Sequence, residues 1–408
     1  MEKSAEGKIL TPAVVIAALG YFVDIYDLVL FSIVRVPSLK GLGFEGQPLF
    51  DKSIFLLNVQ MSGLLLGGIL WGVLGDKRGR LTVMLSSIFL YSISNIANGL
   101  VHSVEAYAFW RFVAGVGLAG ELGAGITLVS EVLHRERRGV GTTIVAGVGV
   151  SGAIVAGALA EILDWRVCYI VGGVLGLALL AVRIRVSESG MFDSVSKSAV
   201  NRGDFFSLFK RWSLFRRYAC SILIGVPIWH VIGILITFSP EIMSARGLDV
   251  PISGGRAILF SYLGLTIGDF ASGLLSQRLK SRRKAVAIFL VITFLAGCVY
   301  FVAPVRTEAE VYGICVLLGI GVGYWAVFVT IAAEQFGTNL RATVATTTPN
   351  FVRGAVVPLT IGFTAIKAQS GVLSAAIILG LVVTGIAFIA LWNLRETYGR
   401  DLDFVETD

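Results

Sequence analysis

The chain has 408 residues, of which 55% are hydrophobic and only 15% are charged. The surface of a soluble domain needs roughly a quarter charged residues, so this composition excludes a soluble globular protein. The formal net charge of +7 could suggest a nucleic-acid partner. However, the basic residues lie mainly between apolar runs, and we expect no nucleic-acid binding.

Apolar runs of about 20 residues, each long enough to cross a bilayer, recur along the chain. They predict an all-α membrane protein with twelve transmembrane helices, whose approximate bounds are 11–34, 54–74, 81–100, 106–130, 139–160, 167–183, 218–240, 256–276, 285–303, 310–332, 342–366 and 371–394. No cleavage pattern follows the first run, which we therefore interpret as a retained helix rather than a signal peptide.

A polar stretch from about Arg183 to Arg217 divides the spans six and six. We expect an N-terminal six-helix bundle over residues 1–183, a cytoplasmic linker over 184–217 and a C-terminal six-helix bundle over 218–408. The linker mixes aromatic and basic side chains, which is typical of a short amphipathic helix at a membrane interface.

The distribution of lysine and arginine predicts the orientation in the membrane. If both termini are cytoplasmic, 24 of the 34 basic residues lie in inner segments and eight in outer segments. Because basic residues accumulate on the cytoplasmic side, we expect a multi-pass protein of the cell (inner) membrane with both termini in the cytoplasm. Its basic loops would contact the anionic headgroups of the bilayer.

One loop between helices occurs twice in the chain. Residues 72–80 read GVLGDKRGR, and residues 273–283, which begin 201 positions later, read GLLSQRLKSRR. Each loop follows one apolar span and precedes the next. The second copy has Gln277 where the first has Asp76. A loop repeated at half the chain length indicates that a helical bundle was duplicated.

A second pair of segments supports the duplication. Glu131 precedes Arg138 by seven residues after span four, and Glu334 precedes Arg341 by seven after span ten. Both pairs recur at nearly the same offset as the repeated loop. In a membrane, duplicated bundles of this kind are typical of transporters.

With these features the chain resembles the major facilitator superfamily. The resemblance rests on twelve spans in two halves, on the G-x-x-x-D-x-x-G-R loop at 72–80, and on Trp110-Arg-Phe-Val-Ala-Gly-Val-Gly117 in span four. It implies a two-bundle fold that alternates between inward-open and outward-open states around a site near the membrane midplane.

Within that superfamily, three segments resemble the organic-ion, metabolite:proton and phosphate:proton symporters. They are Gly20-Tyr-Phe-Val-Asp-Ile-Tyr-Asp-Leu28, Gly117-Leu-Ala-Gly-Glu-Leu-Gly123 and Ser187-Glu-Ser-Gly-Met-Phe192. Phosphate symporters typically have an Asp-Tyr pair where residues 121–122 are Glu-Leu, and an acid in helix seven where residues 229–230 are Trp-His. These departures argue against inorganic phosphate.

Ionisable side chains within the predicted spans are the candidates for function, because each costs at least a few kcal/mol inside a bilayer. A rise of about 1.5 Å per residue places four of them in one layer near the midplane: Asp24, Glu121, His230 and Arg353. We assign proton coupling to Asp24, Asp27, Glu121 and Arg111. A buried structural pair of Asp27 with Arg111 is the alternative reading.

A second group is assigned to the substrate. The guanidinium group of Arg353 suits a carboxylate or phosphate through paired hydrogen bonds, and Asn350 lies on the same helix face. Aromatic and titratable side chains at similar depth would line the cavity; they are Tyr26, Trp229, His230, Tyr324 and Trp325. The alternatives are a counter-ion role toward Asp269 for Arg353 and ordinary packing for the aromatic residues.

The charged residues of the repeated loops are expected to act as gates rather than binding sites, since they can brace helix ends on the cytoplasmic side. They are Asp76, Arg80, Glu131, Arg138, Glu334 and Arg341. We expect no metal or other cofactor, because the sequence has no metal-ligand spacing and no nucleotide-binding loop. The proton gradient would be the driving force.

The sequence therefore predicts a monomeric secondary active transporter. It would carry a small organic anion, most simply a carboxylate, together with protons by alternating access. A phosphate:proton symporter and an organic-cation carrier are the alternative transporters. A transporter-like sensor is the alternative outside transport, and no enzyme constellation of nucleophile and base is found.

Overall fold

The computed structural model of the chain describes residues 12–78, 80–121, 138–188, 205–248, 250–399 and 406. All regular structure in these ranges is helical. The N-terminal half contains α1 Pro12–Gly41, α2 Gly46–Arg78, α3 Arg80–Asn98, α4 Val104–Leu118, α5 Arg138–Ala160 and α6 Trp165–Glu188.

A short helix, α7 Ser207–Lys210, precedes the C-terminal half. That half contains α8 Trp212–Leu223, α9 Val226–His230, a π-helix Val231–Ile236, α10 Ser239–Ala245, α11 Gly254–Arg278, α12 Arg282–Val302, α13 Glu308–Val322, α14 Trp325–Glu334, α15 Thr338–Gly354 and α16 Val356–Asn393. Within α16, Gly371 has φ of 83°, a left-handed conformation that favours glycine, and it marks the turn between the last two spans.

The chain is an all-α membrane protein. By length and composition, eight helices of the described ranges can cross a bilayer. Large apolar side chains such as Leu66, Phe109 and Ile389 are more than half exposed, a distribution that suits contact with lipid rather than water.

The packing of helices repeats between the two halves. Helix α2 packs on α4 in the first half, and α11 packs on α13 in the second. The halves meet where α2 contacts α15 and where α5 contacts α11. In span numbers, span two contacts span eleven and span five contacts span eight. Moving each span number by six, from one half to the other, converts one interface into the other. This symmetry fits the duplication that the repeated loop indicates.

Prolines interrupt the helices of the second half near the middle of the bundle. Proline has no N–H, so it cannot bond the carbonyl four residues earlier. Pro227 lies four residues after Leu223, where α8 ends, and Pro358 lies four residues after Gly354, where α15 ends. Broken helices at membrane depth are typical of transporter sites, because their free backbone groups can face a buried cavity.

Helices α1 and α6 extend beyond the predicted spans, and the difference relocates two arginines. Helix α1 continues to Gly41 and α6 to Glu188, whereas the hydropathy pattern ended these spans at 34 and 183. Arg35, predicted in an outer loop, and Arg183, predicted at the linker boundary, therefore lie within helices. They are 1% and 2% exposed, respectively.

The ends of the spans lie at two opposite faces of the molecule. The linker face carries the start of α1, the end of α2, the start of α8 and the end of α11. The opposite face carries the loop between α1 and α2 and the helix α10.

Candidate functional site

Arg353 and Asp24 face each other at the centre of the molecule, where the two halves meet. Nη2 of Arg353, in the last turn of α15, lies 3.6 Å from Oδ2 of Asp24 in the middle of α1. Both side chains are at most 1% exposed. The separation is too long for a hydrogen bond, and no guanidinium nitrogen of Arg353 has a hydrogen-bond partner among the described residues.

An aromatic wall flanks the guanidinium group. Its carbon lies 5.6 Å from the ring centre of Trp325, the first residue of α14. The neighbouring Tyr324 donates its hydroxyl to the carbonyl of Ile224 at 3.0 Å, where α8 ends. The breaks of spans seven and ten are thereby joined. Of the two aromatic residues that were predicted to line the cavity from span ten, Trp325 contacts Arg353. Tyr324 instead bonds the backbone carbonyl at the break in span seven.

Asp27 lies one turn from Asp24 but belongs to a different cluster. The basic residue that acts on its charge is Arg111 of α4, although neither oxygen of Asp27 has a hydrogen-bond partner among the described residues. The Arg111 guanidinium lies over the rings of Phe31 and Tyr169, at 5.8 and 5.3 Å from their centres. This cluster lies within the N-terminal half. No hydrogen bond joins Asp27 to Arg111 in the described part of the chain, so their pairing stays a prediction, separate from the contact between the halves.

Glu121 has a partner that was assigned to the linker boundary. Nη1 of Arg183 donates to Oε2 of Glu121 at 2.8 Å, and Nη2 donates to Oε1. Nη2 also reaches the carbonyl of Ile16. Both side chains are only 2% exposed. A bidentate pair of this kind ties α6 to the residue just after α4 and, through Ile16, to α1. Glu121 therefore lies in an ion pair separate from the Arg353–Asp24 contact.

Three of the other predicted substrate residues have hydrogen-bond partners away from Arg353. The amide of Asn350 donates to the carbonyls of Ala119 and Thr346 at 2.9 and 3.1 Å, so it joins α15 to the end of α4. A ring nitrogen of His230 lies 3.2 Å from the carbonyl of Ala376 in α16. Tyr26 donates to the carbonyl of Cys168 at 2.9 Å. Trp229 is buried.

Arg35 closes the opposite face between the two halves. Its Nη2 donates to Glu241 Oε2 at 2.7 Å and to the carbonyl of Thr237 at 2.9 Å, and its guanidinium lies 4.6 Å from the ring centre of Phe238. Nearer the middle, Thr360 donates to Asn58 at 2.6 Å. Asn350 and Ala119 meet across the halves on the side of the linker face. The central pair is thus enclosed from both faces in the described part of the chain.

The predicted gating residues are only partly visible. The side chains of Asp76, Arg80, Glu131 and Arg138 lie outside the described part of the chain. Glu334 accepts a hydrogen bond from Thr397 at 2.6 Å and lies 3.4 Å from Arg282. The structure describes Arg341 within α15.

Glu396, just beyond α16, caps the start of α12 on the linker face. It accepts hydrogen bonds from the backbone N–H groups of Arg282 and Arg283 and from the hydroxyl of Ser281. Burial raises the pKa of this carboxyl, but the hydrogen bonds outweigh burial and hold the pKa below its usual value. This cap and the contacts of Glu334 fasten the ends of spans nine, ten and twelve together.

Sequence reasoning missed Arg35 and Arg183 because a charged residue at the end of an apolar run is read as a loop residue. Helix-compatible residues continue to Gly41 and to Glu188, and that continuation was the available signal. Asp269 is the alternative counter-ion that the sequence offers for Arg353. Its Oδ1 instead accepts the backbone N–H of Ala326 at 3.2 Å, and the acid opposite Arg353 is Asp24.

Comparison with known proteins agrees with this architecture. The family model "Major Facilitator Superfamily" matches residues 17–357. A candidate niacin/nicotinamide transporter of Bacillus subtilis (strain 168) is 25% identical over 399 residues, covering 95% of this chain and 96% of the relative. A niacin transporter of Acinetobacter baylyi is 21% identical, covering 96% and 95%.

A 3-(3-hydroxy-phenyl)propionate transporter of Escherichia coli K12 is 25% identical over 298 residues, covering 71% of each chain. The matched model spans most of the sequence, including both halves and the Asp24–Arg353 pair. These relatives are transporters of organic compounds, and they indicate a transporter rather than an enzyme. The chain belongs to the Major Facilitator Superfamily.

Proposed function

We propose that the protein is a secondary active transporter that carries a small organic carboxylate together with protons by alternating access. The observation that carries this proposal is the buried Arg353, which has no hydrogen-bond partner among the described residues and lies 3.6 Å from an acid of the other half. A guanidinium group binds a carboxylate through two parallel hydrogen bonds. Arg353 is placed where such a ligand would contact both halves.

Asp24 supplies a reason for proton coupling. A substrate carboxylate that binds Arg353 replaces Asp24 as the counter-ion of the guanidinium group. Asp24 is then left unpaired, and an unpaired carboxylate is costly in a dry interior. Protonation of Asp24 removes that cost. Binding of the anion and binding of one proton therefore favour each other. Asp27 is a second acid on the same helix as Asp24 and is influenced by Arg111 of α4, whereas Glu121 is held by Arg183.

The ring of Trp325 favours a substrate that carries a ring. It lies beside the guanidinium group, so a planar carboxylate bound to Arg353 could stack on the indole. Niacin and 3-(3-hydroxy-phenyl)propionate, named for two of the relatives, combine a ring with an acid group. We therefore infer a small ring-bearing carboxylate as the substrate class.

The alternatives agree less well with the central charges. Phosphate also suits a guanidinium group, but residues 121–122 and 229–230 depart from the phosphate symporters. An organic-cation carrier would need a free acid, whereas Asp24 has Arg353 opposite it.

Membrane placement is also part of the proposal. The linker face would be cytoplasmic, because most of the basic residues lie in segments assigned to that side. We propose the cell membrane as the location, both termini in the cytoplasm, the proton gradient as driving force and a monomer as the working unit.

A binding screen tests the substrate class. The purified protein would be heated in detergent with nicotinate, 3-(3-hydroxyphenyl)propionate, benzoate, acetate, phosphate and the neutral amide nicotinamide. A ligand at 100 times its Kd stabilises the folded protein by about 2.7 kcal/mol. We expect a raised Tm with a ring carboxylate and no change with phosphate. A response to phosphate or to nicotinamide alone would contradict the proposal.

A further inference from the structure

We propose that Asp269 is a positioning residue for the substrate site. It caps the broken helix α14 from the neighbouring helix α11 and thereby holds Trp325 against Arg353. The inference rests on the proposed function, in which Arg353 and Trp325 form the binding site.

The half-helix α14 begins in the interior of the bundle with its first N–H groups unpaired by the helix itself. Inside a bilayer such groups need an acceptor. Tyr324 at the N-cap makes no side-chain cap hydrogen bond, and its hydroxyl points to the carbonyl of Ile224, to which it donates. Oδ1 of Asp269 instead accepts the N–H of Ala326 at 3.2 Å. A carboxylate at a helix N-terminus also complements the helix dipole.

A pair of glycines allows α11, which carries Asp269, to approach the start of α14 closely. A Cβ on Gly323, at the break between α13 and α14, would overlap the backbone of Gly268 and would lie 2.7 Å from the N atom of Asp269. A Cβ on Gly268 would in turn lie 2.8 Å from the Cα of Gly323. Only glycine at both positions allows α11 to approach the break this closely. The carboxylate next to Gly268 therefore meets the first turn of α14.

The cap acts on the site through one residue. Trp325 is the first residue of α14, directly before the Ala326 N–H that Asp269 accepts, and its ring lies beside the Arg353 guanidinium. If the first turn of α14 frays, the indole loses its fixed direction while Arg353 stays in α15. A second role for Asp269, as a carrier of the transported proton, would depend on its charge and not on its capacity to accept a hydrogen bond.

Three variants separate these roles. Asp269→Ala removes the acceptor, and Asp269→Asn keeps an acceptor oxygen but no charge. Thr266→Val is the matched control in the same helix, because the Thr266 hydroxyl donates to Tyr262 within α11. Two experiments would be done on each variant. One measures amide hydrogen exchange of residues 325–328 in the purified protein, and the other measures the KM and maximal rate of nicotinate uptake in proteoliposomes.

We expect Asp269→Ala to speed exchange at residues 325–328 and to raise the nicotinate KM about tenfold, the size of one lost ring contact. Asp269→Asn should recover both quantities to within about twofold, and Thr266→Val should leave the exchange unchanged. Unchanged exchange in Asp269→Ala, or failure of Asp269→Asn to recover exchange and KM, would overturn the proposal.

The two measurements also separate this inference from the proposed function. If the wild-type protein does not take up nicotinate, the carboxylate proposal loses its support. Amide hydrogen exchange alone then tests whether Asp269 caps α14. Faster exchange in Asp269→Ala with recovery in Asp269→Asn would then still show that Asp269 holds the first turn of α14. Equal hydrogen exchange in the wild type, Asp269→Ala and Asp269→Asn would show that Asp269 does not hold this turn.

Discussion

Arg353 is an unusual residue because its guanidinium group is buried at the centre of the bundle. This group has five N–H donors, and none of its nitrogens has a hydrogen-bond acceptor among the described residues. The acid opposite it among the described residues is Asp24, at 3.6 Å. Removing a buried charge from a binding site typically costs 2–5 kcal/mol. The two residues thus give two predictions with different outcomes.

Arg353→Ala is expected to weaken nicotinate binding at least about 30-fold, equivalent to about 2 kcal/mol. Arg353→Lys should also bind poorly, because a point charge lacks the planar fork. Calorimetry on the purified variants measures the affinity. The double variant Asp24→Asn/Arg353→Ala, which leaves no unpaired charge, controls for misfolding. Wild-type affinity in Arg353→Lys would show that the paired hydrogen bonds do not matter.

Asp24→Asn is expected to separate the proton from the substrate. Exchange of labelled nicotinate across the proteoliposome membrane should persist, because Arg353 remains. Accumulation driven by an inward proton gradient should fall at least about tenfold, since Asn cannot take up a proton. Glu121→Gln is the comparison, as Glu121 is held by Arg183. Accumulation by Asp24→Asn at the wild-type level would place the proton carrier elsewhere.

At the scale of elements, the charged contacts between the halves differ in burial. The Arg35–Glu241 pair is 1% and 24% exposed on its two side chains, whereas the Arg256–Glu161 pair is 48% and 35% exposed. Exposed ion pairs contribute little. Arg35 also bonds the backbone of Thr237, which follows the π-helix. We therefore expect Arg35 to hold the opposite face closed.

Arg35→Ala should open the opposite face, while Arg256→Ala should not. A cysteine introduced by Ser62→Cys, on the face of α2 that carries Asn58 and Leu65, would report the change. The exposed Cys298 would first be replaced by serine. An impermeant thiol reagent should label Arg35→Ala on the order of ten times faster than wild type, a population change of about 1.4 kcal/mol. Equal labelling of the two variants would exclude Arg35 as the closing contact.

The close helix pairs depend on glycine. A Cβ on Gly319 in α13 would overlap the carbonyl of Ser261 in α11, whereas a Cβ on Gly313 in the same helix would meet no atom within 4 Å. Overpacking typically costs 1–3 kcal/mol. Thermal unfolding in detergent should therefore show a lower Tm for Gly319→Ala and no loss for Gly313→Ala. Equal Tm values would show that the helices separate without cost.

At the scale of the whole molecule, the sequence predicted the architecture well. Apolar length indicated the spans, and the repeated loop at 72–80 and 273–283 indicated two related halves, because both signals are local or internal to the chain. The packing of α2 on α4 and α11 on α13 agrees with that repeat. The helix breaks were also readable in principle from Pro227 and Pro358.

The candidate site was predicted only in part. Span depth brought Asp24 and Arg353 to one layer, and they do meet. Depth alone could not show that His230 turns to Ala376 or that Glu121 is paired with Arg183, since the direction of a side chain depends on partners far away in sequence. For the same reason the partner of Asp269 on α14 was not predictable.

Proton-driven uptake of nicotinate in proteoliposomes tests the central claim most directly. Vesicles would be held at neutral pH inside and diluted into acidic or neutral buffer, with and without a protonophore, and the internal pH would be followed alongside labelled nicotinate. We predict accumulation only with the acidic outside, internal acidification that accompanies nicotinate entry, and loss of both with the protonophore or in Arg353→Ala. Nicotinate entry at the same rate with and without the gradient, or entry that persists in Arg353→Ala, would contradict the account.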